Sequence, residues 1–322
     1  MSVVSPEETM SLHVERAARI AQDIQLFELV RADAGALPTF SAGAHILVNT
    51  RNGHTRRYSL CNAPEDRHRY VIAVKREAGG RGGSVDLVDE TAVGDTVVIS
   101  APRNDFELVG NPASYLFIAG GIGITPMWSM IQHLQNSGSK PWKLVYLSRQ
   151  PEMTAFRDEQ SAPEFHGKVV LHHDYGNPEK SLDLWTILEK PKGAHLYCCG
   201  PRPLMEAVRD MTGHWSATAV HFEDFGSGNA ARAVDDQPLS VRLAKRGDTV
   251  EVPAGQSILE ALRAAGCTIS SSCESGTCGS CRVGLLAGEA DHRDLVLTDY
   301  ERMREIIVCV SRARSPELTL DL

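Results

Sequence analysis

The sequence predicts a multidomain chain: an antiparallel β-barrel, then an α/β doubly wound sheet, then a small cysteine-bearing module. Three observations carry this. Short β-like runs separated by turn residues fill the first third. Two strand–glycine turn–helix patterns occupy the middle. Three cysteines crowd into "SSCESGTCGSCRVG", residues 270–283. The boundaries that follow are 1–108, 109–226, a linker at 227–237, and 238–322.

Bulk composition agrees. At about 100–200 residues per domain, 322 residues make two or three domains. Hydrophobic residues are 42% and charged residues 23%, ordinary for a globular chain. The net charge of −8 argues against nucleic-acid or acidic-membrane partners. Residues 238–322 carry 10 Lys+Arg and 12 Asp+Glu, so no tail concentrates the acidity. The opening residues lack a basic region followed by an apolar run, so no signal peptide is expected. The most apolar window, "YLFIAGGIGITPMW", is too short and glycine-rich to span a bilayer. Cytoplasmic location and a monomer are the expectations. In a reducing compartment, eight cysteines point to metal binding or buried thiols.

In the first domain, "LHVERAARI", "LFELVRA", "HILVNT", "YVIAVKRE" and "DTVVISA" read as strands. "TRRYSLCN" stands among them, with Arg56 and Arg57 before Tyr58 and Ser59. "GGRGGSVDLVDE", residues 79–90, offers an anion site. Its glycines, Gly82 and Gly83 included, free the backbone, Arg81 brings charge, and Ser84 is expected to cap a helix whose dipole favours phosphate.

In the second domain, "SYLFIAGGIGITPMWSMIQHL" reads as a buried strand, a glycine turn, and a helix starting at Pro126. Gly120, Gly121 and Gly123 let a ligand approach the backbone. "KLVYLSRQ" and "KVVLHHD" suit a parallel sheet. "AHLYCCGPRPLMEAVRDM" repeats the strand–turn–helix pattern at Gly200 and Pro201, so two turns can share one crevice. Cys198 reads as a small buried strand residue. His172, His173, His214 and His292 read as surface or packing residues.

In the third, Cys273, Cys278, Cys281 and Cys309 form C-x4-C-x2-C, then 27 residues, then C, with Cys309 in the strand-like run "EIIVCVSRA". This is the plant-type [2Fe–2S] spacing. Gly276 and Gly279 let backbone amides turn toward the thiolates, and Ser270, Ser271, Ser272, Ser275, Thr277 and Ser280 can donate to sulfur. A structural zinc site is the alternative, though zinc favours paired short spacings. "LSVRLAKRGDTVEVPAG" reads as a hairpin, and "SILEALRAAG" as a helix capped by Ser257 and stopped by Gly266. The module resembles plant-type ferredoxins, whose fold is a β-grasp. The polar stretch "GSGNAARAVDDQ" precedes it.

"GGIGITPM" with "YCCGPRPLM" resembles the nicotinamide-binding domain of the ferredoxin–NADP reductase superfamily, and "RRYS" its flavin motif. Together with "YSLCN", "GRGGS", "SSCESGTCGSC", "GEADHRD" and "VCVSRA", the three modules resemble the phthalate dioxygenase reductases over nearly the whole chain. The resemblance implies a flavin domain, a nucleotide domain and a ferredoxin domain holding FMN, NADH and a [2Fe–2S] cluster.

It implies flavin contacts at Arg56, Arg57, Tyr58, Ser59, Ala73, Val74, Lys75, Arg81, Gly82, Gly83 and Ser84. Ser59 would lie near flavin N5, and Thr125 at the flavin–nicotinamide junction. Gly120, Gly121 and Gly123 would lie under the pyrophosphate. Cys199, Gly200 and Pro201 would lie near the nicotinamide, Ser148 and Arg149 near the adenosine, and Phe225 beside the flavin. The family tends to follow that Ser-Arg pair with an acid. Gln150 stands there, so the NADH preference is expected to be relaxed. FMN is favoured over FAD because no adenosine-binding insertion is evident.

The implied function is the reductase of a Rieske-type aromatic-ring oxygenase, its partner met transiently through the cluster loop near Glu274 and Arg282. A second enzyme reading is a reductase for a related monooxygenase or demethylase, such as a vanillate demethylase. A reading from another class is a zinc-stabilised interaction module on a nucleotide-binding scaffold.

Overall fold

A computed structural model describes residues 9–80, 82–225 and 236–322. Arg81 and most of the expected linker lie outside the described residues. The chain divides into two compact units. One runs up to Gly200 and includes Met211–His221; the other holds Pro201–Asp210 and Phe222 onward.

The first unit opens with six antiparallel strands: β1 (Thr9–Ala21), β2 (Ile24–Val30), β3 (His45–Asn49), β4 (Thr55–Ser59), β5 (Arg69–Lys75) and β6 (Thr96–Ser100). Their order is β4-β3-β6-β1-β2-β5, and a bridge from Leu60 to Ile72 joins the two ends into a barrel. Closure removes the sheet edges. Alternation does the packing: Tyr70, Ile72 and Val74 point into the barrel with Phe27, Ile46 and Ile99, while Val71 and Ala73 point out. Helix α1 (Gly83–Glu90) lies between β5 and β6.

A five-stranded sheet follows, in which β7 to β10 run parallel. Its elements are β7 (Ser114–Gly120), α2 (Ile124–Ser137), β8 (Trp142–Ser148), α3 (Arg157–Gln160), β9 (Val169–His173), α4 (Trp185–Leu188), β10 (Ala194–Cys199), α5 (Arg202–Met211) and β11 (Val220–Glu223). The order β11-β10-β7-β8-β9 reverses direction between β7 and β10. That is the switch point at which open α/β sheets bind ligands, beyond the strands' carboxyl ends. Helix α2 starts two residues earlier than expected, because a tight turn at Gly121–Gly123 winds straight into it. Pro126 still falls in its first turn, where a missing N–H costs nothing.

The outward face of the barrel and the nucleotide-type sheet share one core. Ala42, Cys61, Val71, Ala73 and Phe106 pack with Phe117, Met127, Met130 and Tyr197. Ser129 Oγ donates to the Asn62 carbonyl at 2.8 Å, and Asn62 Oδ1 accepts from the Val71 amide at 2.9 Å.

The second unit contains β12 (Leu239–Leu243), β13 (Thr249–Val252), α6 (Ile258–Ala264), β14 (Arg282–Ala287), β15 (Ala290–Asp291), α7 (Asp299–Arg302), β16 (Glu305–Ile307), β17 (Arg312–Ala313) and β18 (Glu317–Leu320). The main sheet runs β13-β12-β18-β14-β16, with β18 in the middle, parallel to β12 and antiparallel to β14. Helix α6 buries Ile258, Leu259, Ala261 and Leu262 against Val241, Leu243, Leu318 and Leu320. Ser257 and Glu260 form a reciprocal capping box at its start. Of the expected linker, Asp236 and Gln237 are held to this module. Arg293 reaches Asp236 at 2.6 Å, and buried Arg312 donates to the Gln237 carbonyl at 2.6 Å.

Among the described residues no helix is long and apolar enough to cross a membrane.

Candidate functional site

Three groups of residues gather at places set by the fold. The first is on the barrel. Strands β3 and β4 pair His45 with Ser59, Ile46 with Tyr58, Leu47 with Arg57 and Val48 with Arg56. Period two therefore puts Arg56 and Tyr58 on one face, Arg57 and Ser59 on the other. Arg56 lies across Gly83: a β-carbon there would sit 2.6 Å from Nε. Gly82 precedes α1 in the left-handed region at φ 82°, and no side chain caps the helix. A guanidinium thus meets uncapped helical amides, an arrangement suited to phosphate. Ser84 is not the cap. It lies inside α1, and its Oγ accepts the Glu77 amide at 3.1 Å. Glycine takes the cap because only it adopts that φ cheaply.

Around these residues three buried polar atoms have no hydrogen-bond partner: Tyr58 Oη, Ser59 Oγ and His45 Nδ1. Such atoms are costly unless something meets them. A flavin offers ring nitrogens, carbonyls and ribityl hydroxyls of the required kind, so the residues present fit one. Burial pushes Tyr58 up to about 12 and His45 down to about 4, the latter helped by Arg57. Both are neutral near pH 7. On β5, Ala73 faces the shared core, Val74 the barrel interior, and Lys75 pairs with Glu77 at 2.9 Å. Arg57 lies 3.7 Å from Asp105.

The second group is at the switch point. Gly120 ends β7, and Gly121, at φ 54°, faces open space. A β-carbon on Gly123 would stand 2.2 Å from the Cys199 carbonyl oxygen, so the two turns touch. Thr125 is buried, its Oγ1 donating to the Ile122 carbonyl at 3.0 Å. Cys198 and Cys199 are both buried, and burial raises the Cys198 thiol. Ser148 Oγ shares hydrogen bonds with Thr154 Oγ1 at 2.7 Å and His173 Nδ1 at 2.9 Å. Arg149, Gln150 and Pro201 are exposed and Gly200 is half-buried. Phe225 is 41% exposed. His172 and His214 bond backbone carbonyls of Lys180 and Glu189.

The third group is the cysteine loop. Cys273 and Cys278 hydrogen-bond each other, as do Cys281 and Cys309, and Cys273 also acts electrostatically on the second pair. Cys309 lies beyond β16, in a turn. There the Val310 and Ser311 amides return to the Ile307 carbonyl, which lets the sulfur face inward. The bond from Cys278, together with Ser275 and Thr277, lowers the Cys273 thiol. The Ser275 amide reaches Cys273 Sγ at 3.4 Å, Ser280 Oγ lies 3.0 Å from Cys278 Sγ, and the Gly276 amide serves Cys309. Among the described residues no three His, Cys, Asp or Glu side chains are placed to hold one metal ion. Two pairs of thiols with inward amides and hydroxyls instead fit a two-iron cluster, in which each iron takes two protein sulfurs. Glu274 and Arg282 flank the loop, paired with Arg263 at 2.7 Å and with Glu301 and Glu305 at 3.0 and 2.9 Å.

Sequence reading missed His45, whose isolated position gave no motif. It also passed over Asp294, fully buried behind the cysteine loop. The signal available there was an aspartate two and three residues before free backbone amides, the Asx-turn pattern.

Family models match three successive segments: an oxidoreductase FAD-binding domain at 11–108, an oxidoreductase NAD-binding domain at 117–210 and a 2Fe-2S iron-sulfur cluster binding domain at 241–314. Phthalate dioxygenase reductase of Burkholderia cepacia is 51% identical over 323 residues, covering 99% of this chain and 100% of its own. The phthalate 4,5-dioxygenase oxygenase reductase subunit of Pseudomonas putida is 51% identical over 312 residues, 97% of this chain and 96% of its own. Vanillate O-demethylase oxidoreductase of Pseudomonas putida is 40% identical over 311 residues, 94% and 96%. A solved phthalate dioxygenase reductase, described as a modular structure for electron transfer from pyridine nucleotides to [2Fe–2S], shares 51% identity with a TM-score of 0.71, covering 98% of both chains. The chain belongs to the phthalate dioxygenase reductase family, the oxidoreductases that carry a flavin, a pyridine-nucleotide and a [2Fe–2S] domain on one polypeptide.

Proposed function

We propose that this reductase supplies electrons from NADH, through FMN and its [2Fe–2S] cluster, to a Rieske-type phthalate 4,5-dioxygenase. The observation that carries the phthalate reading is 51% identity over essentially full length to two reductases of phthalate oxygenation, against 40% to a vanillate one. When bound, the flavin takes the hydride's two electrons together and the cluster passes them on singly.

The chain's own residues bind and orient. Arg56 with the amides of Gly83 and Ser84 holds the flavin phosphate. Ser59 would present its unpartnered hydroxyl near N5, and Tyr58, on the other face with Arg56, would meet the ribityl end of the flavin. Arg57 and Lys75, with the backbone of Ala73 and Val74, would complete the flavin wall. Among the described residues, α1 and short turns separate β5 from β6, which gives an adenosine no element to rest on and favours FMN. Gly120, Gly121 and Gly123 admit the nucleotide pyrophosphate, and Thr125 and Cys199 flank the nicotinamide with Gly200 and Pro201. Ser148 and Arg149 would bind the adenosine. Cys273 and Cys278 hold one iron, Cys281 and Cys309 the other.

The oxygenase docks transiently at the loop bearing Glu274 and Arg282, and the reductase acts as a monomer. Eight free thiols suit the cytoplasm.

Reconstitution tests this. Purified reductase, NADH and a phthalate oxygenase should yield the cis-dihydrodiol of phthalate. Efficient turnover only with a vanillate demethylase oxygenase would replace the phthalate reading with the demethylase one. Sedimentation with and without oxygenase measures the monomer and the weak complex.

A further inference from the structure

The cysteine loop folds against a wall. Gly276 and Gly279 both have φ of 75°. A β-carbon on Gly276 would come 2.6 Å from Val310 and 3.3 Å from the Asp294 Cα; one on Gly279 would come 3.1 Å from Val296. The Gly276 carbonyl accepts the Leu295 amide at 3.0 Å, while its own amide serves Cys309. Segment 294–296 therefore fixes the peptide planes that aim donors at sulfur.

That segment is itself held by one carboxylate. Asp294 is 0% exposed. Its Oδ2 accepts the amides of Val296 at 3.1 Å and Leu297 at 2.7 Å. Arg302 Nη2 lies 3.9 Å from Oδ2 and donates to the Asp294 carbonyl at 3.1 Å. His292 Nδ1 lies 3.7 Å from Oδ1, and its Nε2 lies 3.1 Å from the Arg302 carbonyl. Burial alone would push this carboxyl up. His292, the Leu297 amide, Arg302 and the Val296 amide more than offset it, so it stays charged at neutral pH. This fully buried charge has two hydrogen bonds, both on Oδ2, and two cationic neighbours at 3.7 and 3.9 Å, while Oδ1 has no hydrogen-bond partner. Such a charge is costly to build for a loop with no other task.

We propose that Asp294, braced by His292 and Arg302, is a positioning residue for the iron–sulfur centre: it holds the wall that shapes the loop and contributes a fixed negative charge behind it. The inference rests on the four-cysteine cluster reading. Outer residues that orient ligands in this way change metal affinity by roughly 10–100-fold when lost.

The test uses the holoprotein. Asp294→Ala should speed iron release to a chelator by roughly 10–100-fold. Asp294→Asn keeps an oxygen for the amides but removes the charge, so it should raise the cluster's midpoint potential. Arg302→Gln leaves the carboxylate uncompensated and should lower it, with both variants shifting the reduced cluster's EPR g-values. Should Asp294→Ala fail to fold, the opposite shifts of the other two decide the matter. Wild-type potential, g-values and iron release in Asp294→Asn and Arg302→Gln would overturn the inference while the cluster reading stands. Iron-free wild-type protein would reject the cluster reading, and the inference with it.

Discussion

Single side chains separate the steps of electron flow. Cys309→Ala removes a thiolate from the cluster and should abolish cytochrome c reduction while sparing ferricyanide reduction at the flavin. Equal loss of both would break the proposed wiring. Gly83→Ala places a β-carbon where Arg56 now lies, 2.6 Å from Nε. Losing a charge-assisted contact of ~1.5–3 kcal/mol should weaken flavin binding by roughly ten- to a hundredfold, read by fluorescence titration of apoprotein. Gln150→Asp should sharpen the preference for NADH over NADPH, since an acid there would bind ribose hydroxyls and repel a 2′-phosphate. An unchanged kcat/KM ratio would remove Gln150 from that role. Residues in spaced motifs were legible because the chemistry demands both type and interval: four cysteines, or Arg-x-Tyr-Ser. Asp294 and His45 were not. Their partners come from distant segments, and one carboxylate or imidazole in a sequence carries no interval to recognise.

At the scale of elements, local rules read well where local forces decide. The hairpin of β12 and β13 and the cap of α6 follow from turn and capping chemistry. Ser257→Ala should cost ~1 kcal/mol and move loss of the cluster's visible absorption to lower urea; an unmoved midpoint would mean the capping box adds nothing. The rules misplaced elements where a neighbour overrides them. Ser84 looked like a cap, but Gly82 takes the left-handed geometry at the start of α1, which a serine would adopt only with strain. Cys309 looked like strand, but its sulfur must face its partners, so the backbone turns. Barrel closure from Leu60 to Ile72 and the middle position of β18 depend on pairing between distant segments. No four-residue run such as Glu317–Leu320 announces that it will be the centre of a sheet.

Across the whole molecule, the order of modules was legible because each keeps its signature within one stretch of chain. The shared core of barrel and nucleotide sheet was not, since Val71 and Ala73 read as ordinary strand residues until both sides of β5 are seen buried. Acid should loosen that first unit. His45 and His221 are held near 4 by burial, against 6.5 when exposed. The unfolded chain binds their protons first, so stability is full above pH 6.5, falls from there to about 4, and gains no further loss from them below. A urea midpoint, followed by tryptophan fluorescence, that stays level from pH 7 to 4 would contradict this. The middle strand of the second unit carries a different consequence. During synthesis β12, β13, β14, β16 and all four cysteines are made before β18, the strand that joins the two halves of that sheet. A released chain ending at residue 316 keeps every cysteine but lacks the strand that joins the halves, and it should lose the visible absorption of the cluster.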